Sequence, residues 1–235
     1  MNRAIVTALW RQRLGSPLRL LLLAAAFLPP LGIAVLMRSP TPVLGTASFF
    51  ALVLAAGAIG QDVSSGVLQL TFARPVTRAA YVTSRWFAAS TGGALLFLAQ
   101  LALTLVLLAA RSASPDGLDM VAAALTGVTA AFVAAAVMVA LSACVGGLGD
   151  VALYALAVIA IPVARQVAMM RGAPWVVTVL DEVHRTLQPA PSFAWFAGHG
   201  GPAWTELVAA ASTVALGLAI AIALVNRKEL SYAAD

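Results

Sequence analysis

The residue types that most often carry chemistry are scarce and scattered in this 235-residue chain. Its single cysteine, Cys144, permits no intrachain disulfide and no thiolate metal site. The two histidines, His184 and His199, are not four residues apart, and no second histidine or carboxylate completes a zinc-binding motif around them. A Gly-x-Ser-x-Gly nucleophile motif is also missing. The sequence therefore predicts no catalytic site, no metal site and no cofactor in this chain.

The most patterned polar stretch is residues 61 to 78, QDVSSGVLQLTFARPVTR, which lies between two long apolar runs. Ser64 and Ser65 are suited to cap a short helix that begins at Gly66 and ends before Pro75. Such a helix carries apolar residues on more than one side: Val67, Leu68, Leu70 and Phe72. A short helix that cannot bury these side chains alone is typical of a docking element for a partner. The plainer alternative is that they lie in the membrane interface.

Composition places the chain among integral membrane proteins, since 62% of its residues are hydrophobic, only 10% are charged and the mean hydropathy is +0.97. A spanning helix needs about 20 predominantly apolar residues. Six runs without charged residues are candidates: Leu20 to Met37, Ser39 to Gln61, Trp86 to Ala110, Met120 to Gly149, Val151 to Ala164 and Leu207 to Asn226. We therefore predict an all-α protein with six transmembrane helices, in a single transmembrane domain that covers residues 1–235. The surplus of the fourth run is assigned to a turn at residues 145–150, where Asp150 would mark the interface.

The distribution of basic residues predicts the orientation of these spans, because cytoplasmic loops carry an excess of Lys and Arg. With six spans, both termini lie on one side of the membrane. That side collects nine of the fourteen basic residues: Arg3, Arg11, Arg13, Arg19, Arg74, Arg78, Arg85, Arg227 and Lys228. Both termini and the 61–85 loop are therefore predicted to be cytoplasmic, in the cytoplasmic membrane. The basic residues form no contiguous patch with interleaved aromatics, so no nucleic-acid binding is expected.

Two segments outside the spans are predicted to be amphipathic helices. Residues 1–18 have apolar side chains at helical spacing up to the break at Gly15 to Pro17, which favours a helix lying along the lipid headgroups. A simple extension of the first span is the alternative. In the external segment 165–205, residues 174–188 form the second amphipathic helix, with Pro174 at its start. It is either part of an outer gate or a membrane-surface anchor.

Few polar groups lie within the predicted spans, which argues against a carrier driven by an ion gradient. Gln100, with Thr104 one turn later, is the best central polar group. An interhelical hydrogen bond is its favoured role, and contact with a transported substrate is the alternative. Pro29 and Pro30 bend the first span and free backbone carbonyls, which suits either a substrate pathway or packing.

The 61–85 region resembles the permease subunits of type-2 ATP-binding-cassette (ABC) exporters. The family signature has an acidic residue, three further residues, Gly-Thr-Leu-Glu, a few apolar residues, and Pro-Val-Ser-Arg before the third span. Matching positions here are Asp62, Gly66-Val67-Leu68-Gln69, Pro75-Val76-Thr77-Arg78, the following aromatic Tyr81 and the basic Arg85. Val67 in place of Thr and Gln69 in place of Glu depart from the pattern. The resemblance extends to the chain length, the six-span layout, the basic N-terminal helix and the charged tail at 226–230.

The resemblance implies a transport subunit, not an enzyme. Two copies, as a homodimer, or two related chains would form the membrane unit, with the homodimer favoured, and two cytoplasmic ABC ATPase subunits would bind ATP and Mg beneath it. The absence of a Gly-x-x-x-x-Gly-Lys phosphate loop in this sequence fits such a division. The coupling residues it implies are Asp62, Gly66, Val67, Leu68, Gln69, Leu70, Arg74, Pro75 and Arg78. The alternative is a non-catalytic membrane scaffold or assembly factor that docks a soluble partner through residues 61–78.

Overall fold

The computed structural model describes residues 3–73, 76–113, 115–145, 147, 149–187 and 191–227. In these ranges the chain forms α-helices, a short 3-10 helix at Ala194–Ala197, and no strand. The α-helices are α1 (Arg3–Leu14), α2 (Pro17–Met37), α3 (Thr41–Leu44), α4 (Thr46–Ala55), α5 (Gly60–Ser64), α6 (Val67–Phe72), α7 (Arg78–Ala109), α8 (Gly117–Cys144), α9 (Gly149–Met170), α10 (Pro174–Leu187) and α11 (Trp204–Arg227). The predicted all-α class is confirmed for this part of the chain.

Five helical segments of the described chain are long and apolar enough to cross a membrane: Pro17–Met37, Thr41–Ser64, Arg78–Ala109, Gly117–Cys144 and Trp204–Arg227. They agree with five of the six predicted spans and are compatible with a multi-pass membrane protein. The remaining predicted span, 151–164, lies within α9, which is 22 residues long. The crossing of the membrane by α9, and the side on which the termini lie, stay predictions.

The second apolar segment lies at the centre of the bundle. In its most apolar window 61% of the residues are buried, against 11% in the corresponding window of α2. α4 packs between α7 and α8, and α11 packs against the other side of α8. Large side chains with almost no exposure fill the spaces between these helices: Phe50, Ile59, Tyr81, Phe97 and Met138. The core is therefore formed by α4, α7, α8 and α11, with α2 at the periphery.

A glycine allows α4 and α7 to approach closely. A Cβ atom added at Gly93 would lie 2.7 Å from both the Cα and the backbone nitrogen of Ala51. Real Cβ atoms do not approach backbone atoms so closely, so any larger residue must push the two helices apart. Small residues at helix interfaces serve this purpose in membranes, where van der Waals packing drives helix association.

α1 is a separate helix that packs on α7. The indole N–H of Trp10 in α1 donates a hydrogen bond to the carbonyl of Ala88 in α7 at 2.8 Å. Leu9, also in α1, is fully buried. α1 ends at Leu14 and α2 begins at Pro17, which is the break predicted from the sequence. The N-terminal helix is thus confirmed as a helix, and its place along the headgroups stays a prediction.

α10 begins at Pro174, as predicted, and an ion pair holds it to α9. Arg165 Nε and Asp181 Oδ1 are 2.6 Å apart. On α10, Trp175, Val179 and Val183 are exposed. The predicted helix is therefore present, and Asp181 is one of the residues through which it contacts the rest of the chain. Its external position stays a prediction.

Gly93→Ala should destabilise the protein by about 1–3 kcal/mol, because the added methyl overpacks the contact with Ala51. Gly32→Ala is the matched control, since a Cβ at Gly32, in the middle of α2, meets nothing within 4 Å. The control should be unchanged or slightly more stable, because alanine is the better helix former. Unfolding of both variants in detergent, followed by circular dichroism, measures the difference. Equal stabilities would contradict the close approach.

Candidate functional site

Three residues singled out by the sequence, Asp62, Tyr81 and Arg85, meet in one buried contact. Arg85 Nη2 and the Tyr81 hydroxyl both donate to Asp62 Oδ2, the hydroxyl at 2.6 Å. The Arg85 guanidinium also lies 5.3 Å from the centre of the Tyr81 ring. All three side chains are buried. Asp62 therefore joins α5 to α7, and its carboxylate is engaged within the chain.

The short helix predicted after the second span is α6. Gly66 precedes it with φ +71°, a left-handed conformation that glycine adopts without strain. The hydroxyls of Ser64 and Ser65 donate to the Gln61 carbonyl and so close the end of α5. The side chains of Gln69 and Leu70, and residues Arg74 and Pro75, lie outside the part of the chain that the structure describes.

The apolar side chains of α6 are divided between the core and the surface. Leu68 is only 3% exposed and belongs to the core, whereas Val67 is 41% exposed. The Phe72 ring packs edge-on against Tyr81, with centroids 5.5 Å apart. α6 is thus anchored over the Asp62 contact and leaves Val67 free for another surface.

Arg78, another residue of the predicted coupling set, holds the end of α11. It donates to the carbonyls of Val225 (3.1 Å) and Asn226 (2.5 Å), which belong to the last turn of that helix. A cation at a helix C-terminus donates hydrogen bonds to the free carbonyls, and its charge interacts favourably with the helix dipole. The guanidinium also lies 5.7 Å from the Phe72 ring centre. Arg78 therefore connects α6, α7 and α11.

A cleft of about 510 Å³ opens between α1 and α6 above the Asp62 contact. Its floor is formed by Asp62, Tyr81 and Arg85, and Arg85 Nη1 lies 3.4 Å from Gln12 Oε1. The other lining residues are Ala4, Ile5, Ala8, Gln12, Val67, Thr71 and Val76. The cleft therefore combines mostly apolar walls with the polar Asp62 contact.

The second apolar segment is broken between α4 and α5, which the sequence analysis missed. Residues 56–59 leave the helix, and Gly57 has φ +65°. Asp150 Oδ2 accepts the Gly57 N–H at 2.6 Å. The Ser142 hydroxyl oxygen accepts the N–H groups of Ile59 and Gly60 at 3.0 and 2.9 Å. Side chains of α8 and α9 thus bond amides that the helix break leaves free.

Asp150 is fully buried against this break, and its position relative to the membrane interface stays a prediction. Oδ1 of the same carboxylate accepts the Val151 N–H at 2.8 Å, at the start of α9. The available sequence signal was the pair Gly57 and Gly60 within an apolar run. Glycine in a helix interior is unfavourable, and it marks a break when another segment can bond the freed backbone.

Gln100, a candidate pathway residue, forms interhelical hydrogen bonds to the turn of α2 that precedes the candidate prolines Pro29 and Pro30. Gln100 Nε2 donates to the carbonyls of Phe27 (2.7 Å) and Ala26 (3.3 Å), and Gln100 Oε1 accepts from the Thr46 hydroxyl at 2.6 Å. Pro30 has no N–H to offer the Ala26 carbonyl, so Gln100 replaces that helix bond. These contacts match the favoured packing role.

Thr104 does not extend this site towards other helices. Its hydroxyl donates to the backbone carbonyl of Gln100 at 2.7 Å, within α7. Both side chains are fully buried. The structure therefore buries Gln100 and Thr104 in a packed interior, whereas Pro29 is exposed on α2 and Pro30 is partly exposed.

Two further observations bear on chemistry. Within the described residues, no three His, Cys, Asp or Glu side chains cluster so as to hold a metal ion. His199 Nε2 lies 3.1 Å from Asp119 Oδ1 at an exposed position.

No protein-family model matches the chain, and no curated protein matches it either.

Ser142→Ala should cost about 1–3 kcal/mol, because it leaves two buried backbone amides, those of Ile59 and Gly60, without their acceptor. Thr129→Ala is a control on the same helix, since its hydroxyl donates only back to the Leu125 carbonyl of α8. The control should change stability much less. Urea or thermal unfolding in detergent compares the two, and equal losses would argue against bonding of the helix break by Ser142.

Arg85→Met should destabilise the protein by about 3–5 kcal/mol, because it leaves the buried Asp62 carboxylate without its cation. Adding Asp62→Asn should restore much of this stability, since the amide is neutral and keeps an acceptor for Tyr81. Arg111→Met, at an exposed arginine, is the control. Unfolding of the single and double variants gives the coupling energy. Additive losses would contradict a direct Asp62–Arg85 pair.

Proposed function

We propose that this chain is the membrane-spanning permease subunit of a type-2 ABC exporter, which moves a substrate across the cytoplasmic membrane. The observation that carries the proposal is the contact of Asp62, Tyr81 and Arg85. These are the acidic, aromatic and basic positions of the sequence resemblance. A functional unit that spans the 61–85 region explains why three residues separated along the chain are held in one buried cluster.

The cleft between α1 and α6 is the proposed docking site for the ATPase subunit. Val67 and Thr71 line its α6 side and Ile5 its α1 side. Because Leu68 and Phe72 are packed within the chain, a partner that presses on Val67 moves α6 as a unit with α7. The ATP and Mg are bound by the partner, with one ATPase subunit beneath each permease copy.

The proposed mechanical path runs from α6 to the spans. α6 acts on α7 through Phe72 and Tyr81, and on α11 through Arg78. The break at residues 56–59 separates α5 from α4. A short displacement of α5 and α6 can then be taken up by φ and ψ changes at the break, as hinges in other transporters do. The substrate path lies between two copies of the chain, as a homodimer.

Val67→Asp should weaken binding of the ATPase subunit at least tenfold, because it places an unpaired carboxylate in an apolar contact. The matched control is Val179→Asp, an exposed valine on α10, predicted to lie on the opposite side of the membrane. Co-purification with an ABC ATPase subunit, to be sought first in the neighbouring reading frame, and transport-stimulated ATPase activity are the measurements. Leu68→Asp is unsuitable because Leu68 is part of the core.

The outcome separates the exporter from the scaffold. Loss of both binding and ATPase stimulation in Val67→Asp, with the control unaffected, supports a coupling role for α6. Full activity in Val67→Asp contradicts docking at the cleft. A partner that binds through this cleft but lacks ATPase activity would instead favour the scaffold or assembly factor.

A further inference from the structure

Two arginines converge on one neutral oxygen at the junction of α1, α2 and α5. Arg13 Nη1 and Arg19 Nη2 both donate to Gln61 Oε1, at 3.1 and 2.9 Å. Arg13 is only 1% exposed, whereas Arg19 is half-buried. An amide oxygen carries no net charge, so it cannot neutralise either guanidinium. Like charges held this close in a poorly hydrated site are unfavourable unless an anion joins them.

The carboxylates in this region are engaged elsewhere. Asp62 accepts from Arg85 and Tyr81, and Asp150 accepts the backbone amides of Gly57 and Val151. Arg13 Nε and Nη2 are buried and have no hydrogen-bond partner among the described residues. Burial, with the nearby charges of Arg19 and Arg85, lowers the pKa of Arg13 to about 9, while the charges of Asp62 and Asp150 oppose this shift. The cluster thus has an excess of positive charge and free donors.

We propose that Arg13 and Arg19 bind a phosphate group, carried by an anionic phospholipid or present as free phosphate. The guanidinium forks suit phosphate oxygens, which can accept from both arginines at once. Arg19 lies in the first turn of the 21-residue α2, whose N-terminal dipole also attracts an anion. Arg19, being half-buried, forms the open side through which the phosphate enters.

An apolar groove that also involves α1 suits the acyl chain of such a lipid. Its volume is about 210 Å³, and its lining residues are Trp10, Leu14, Leu54, Gly92, Leu95 and Leu96. α1 therefore contributes Arg13 to the proposed headgroup site and Trp10 and Leu14 to the groove. Basic pockets between membrane helices bind anionic headgroups in this way.

The test uses the full chain purified in a neutral detergent and needs no partner protein. Phosphatidylglycerol, phosphatidylcholine and inorganic phosphate are added separately, and binding is followed by the shift of Tm and by native mass spectrometry. Phosphatidylglycerol should raise the Tm of the native protein more than phosphatidylcholine does. Arg19→Gln should weaken this binding about tenfold or more, since it removes a charge-assisted contact. Arg11→Gln, at an exposed arginine of α1, should leave it unchanged.

Arg13→Gln supplies a second readout. It removes a buried charge that no carboxylate bonds directly, so the lipid-free protein should keep or gain stability while the effect of phosphatidylglycerol is lost. If Arg13→Gln does not fold, the Arg19→Gln comparison decides. A response to inorganic phosphate alone that Arg19→Gln abolishes identifies free phosphate as the ligand. Equal binding of both lipids, or equal phosphatidylglycerol binding by Arg19→Gln and Arg11→Gln, with no phosphate response, overturns the proposal.

Discussion

The arrangement of the bundle depends on how the broken second apolar segment satisfies its backbone. Four residues between α4 and α5 leave the helix in the most buried part of the protein, where a free amide costs several kcal/mol. The side chains of Ser142 in α8 and Asp150 in α9 accept hydrogen bonds from backbone amides at this break, those of Gly57, Ile59 and Gly60. The position of α8 and α9 relative to α4 is therefore fixed by directional bonds in addition to packing, and α5 leaves the break in the direction that brings Asp62 to Arg85.

From the helix break, a series of side-chain contacts continues towards α6. Asp62 joins α5 to α7, Phe72 rests on Tyr81, and Arg78 bonds the end of α11. Each contact involves a residue close to a helix end, where the backbone changes direction. Helix ends are thus bound to neighbouring helices by polar contacts, whereas the helix centres are held by small residues and close packing.

Composition and periodicity predicted the helical class, five of the apolar segments, the separate α1 and the start of α10, because these follow from local hydrophobicity and from Pro and Gly signals. The polar contacts inside the bundle were harder to predict from the sequence. Gln100 was expected to bond between helices, yet its acceptors, the carbonyls near Pro30, depend on the packing of α2 on α7. The bond of Asp150 to the Gly57 amide was not predicted, because a single charge in the sequence gives no sign of a partner 93 residues away. Long-range pairings of this kind require the fold itself.

The distance along the chain between the helix break and its acceptors has a consequence for biogenesis. The amides of Gly57, Ile59 and Gly60 emerge from the ribosome more than eighty residues before Ser142 and Asp150. In lipid, a broken helix with free amides is unstable until those acceptors arrive. During synthesis the second apolar segment must therefore either stay continuous as a helix or remain shielded beside the insertion machinery. It can adopt its broken form only once α8 and the start of α9 are in place, so the interior of this protein is completed late and from its C-terminal half.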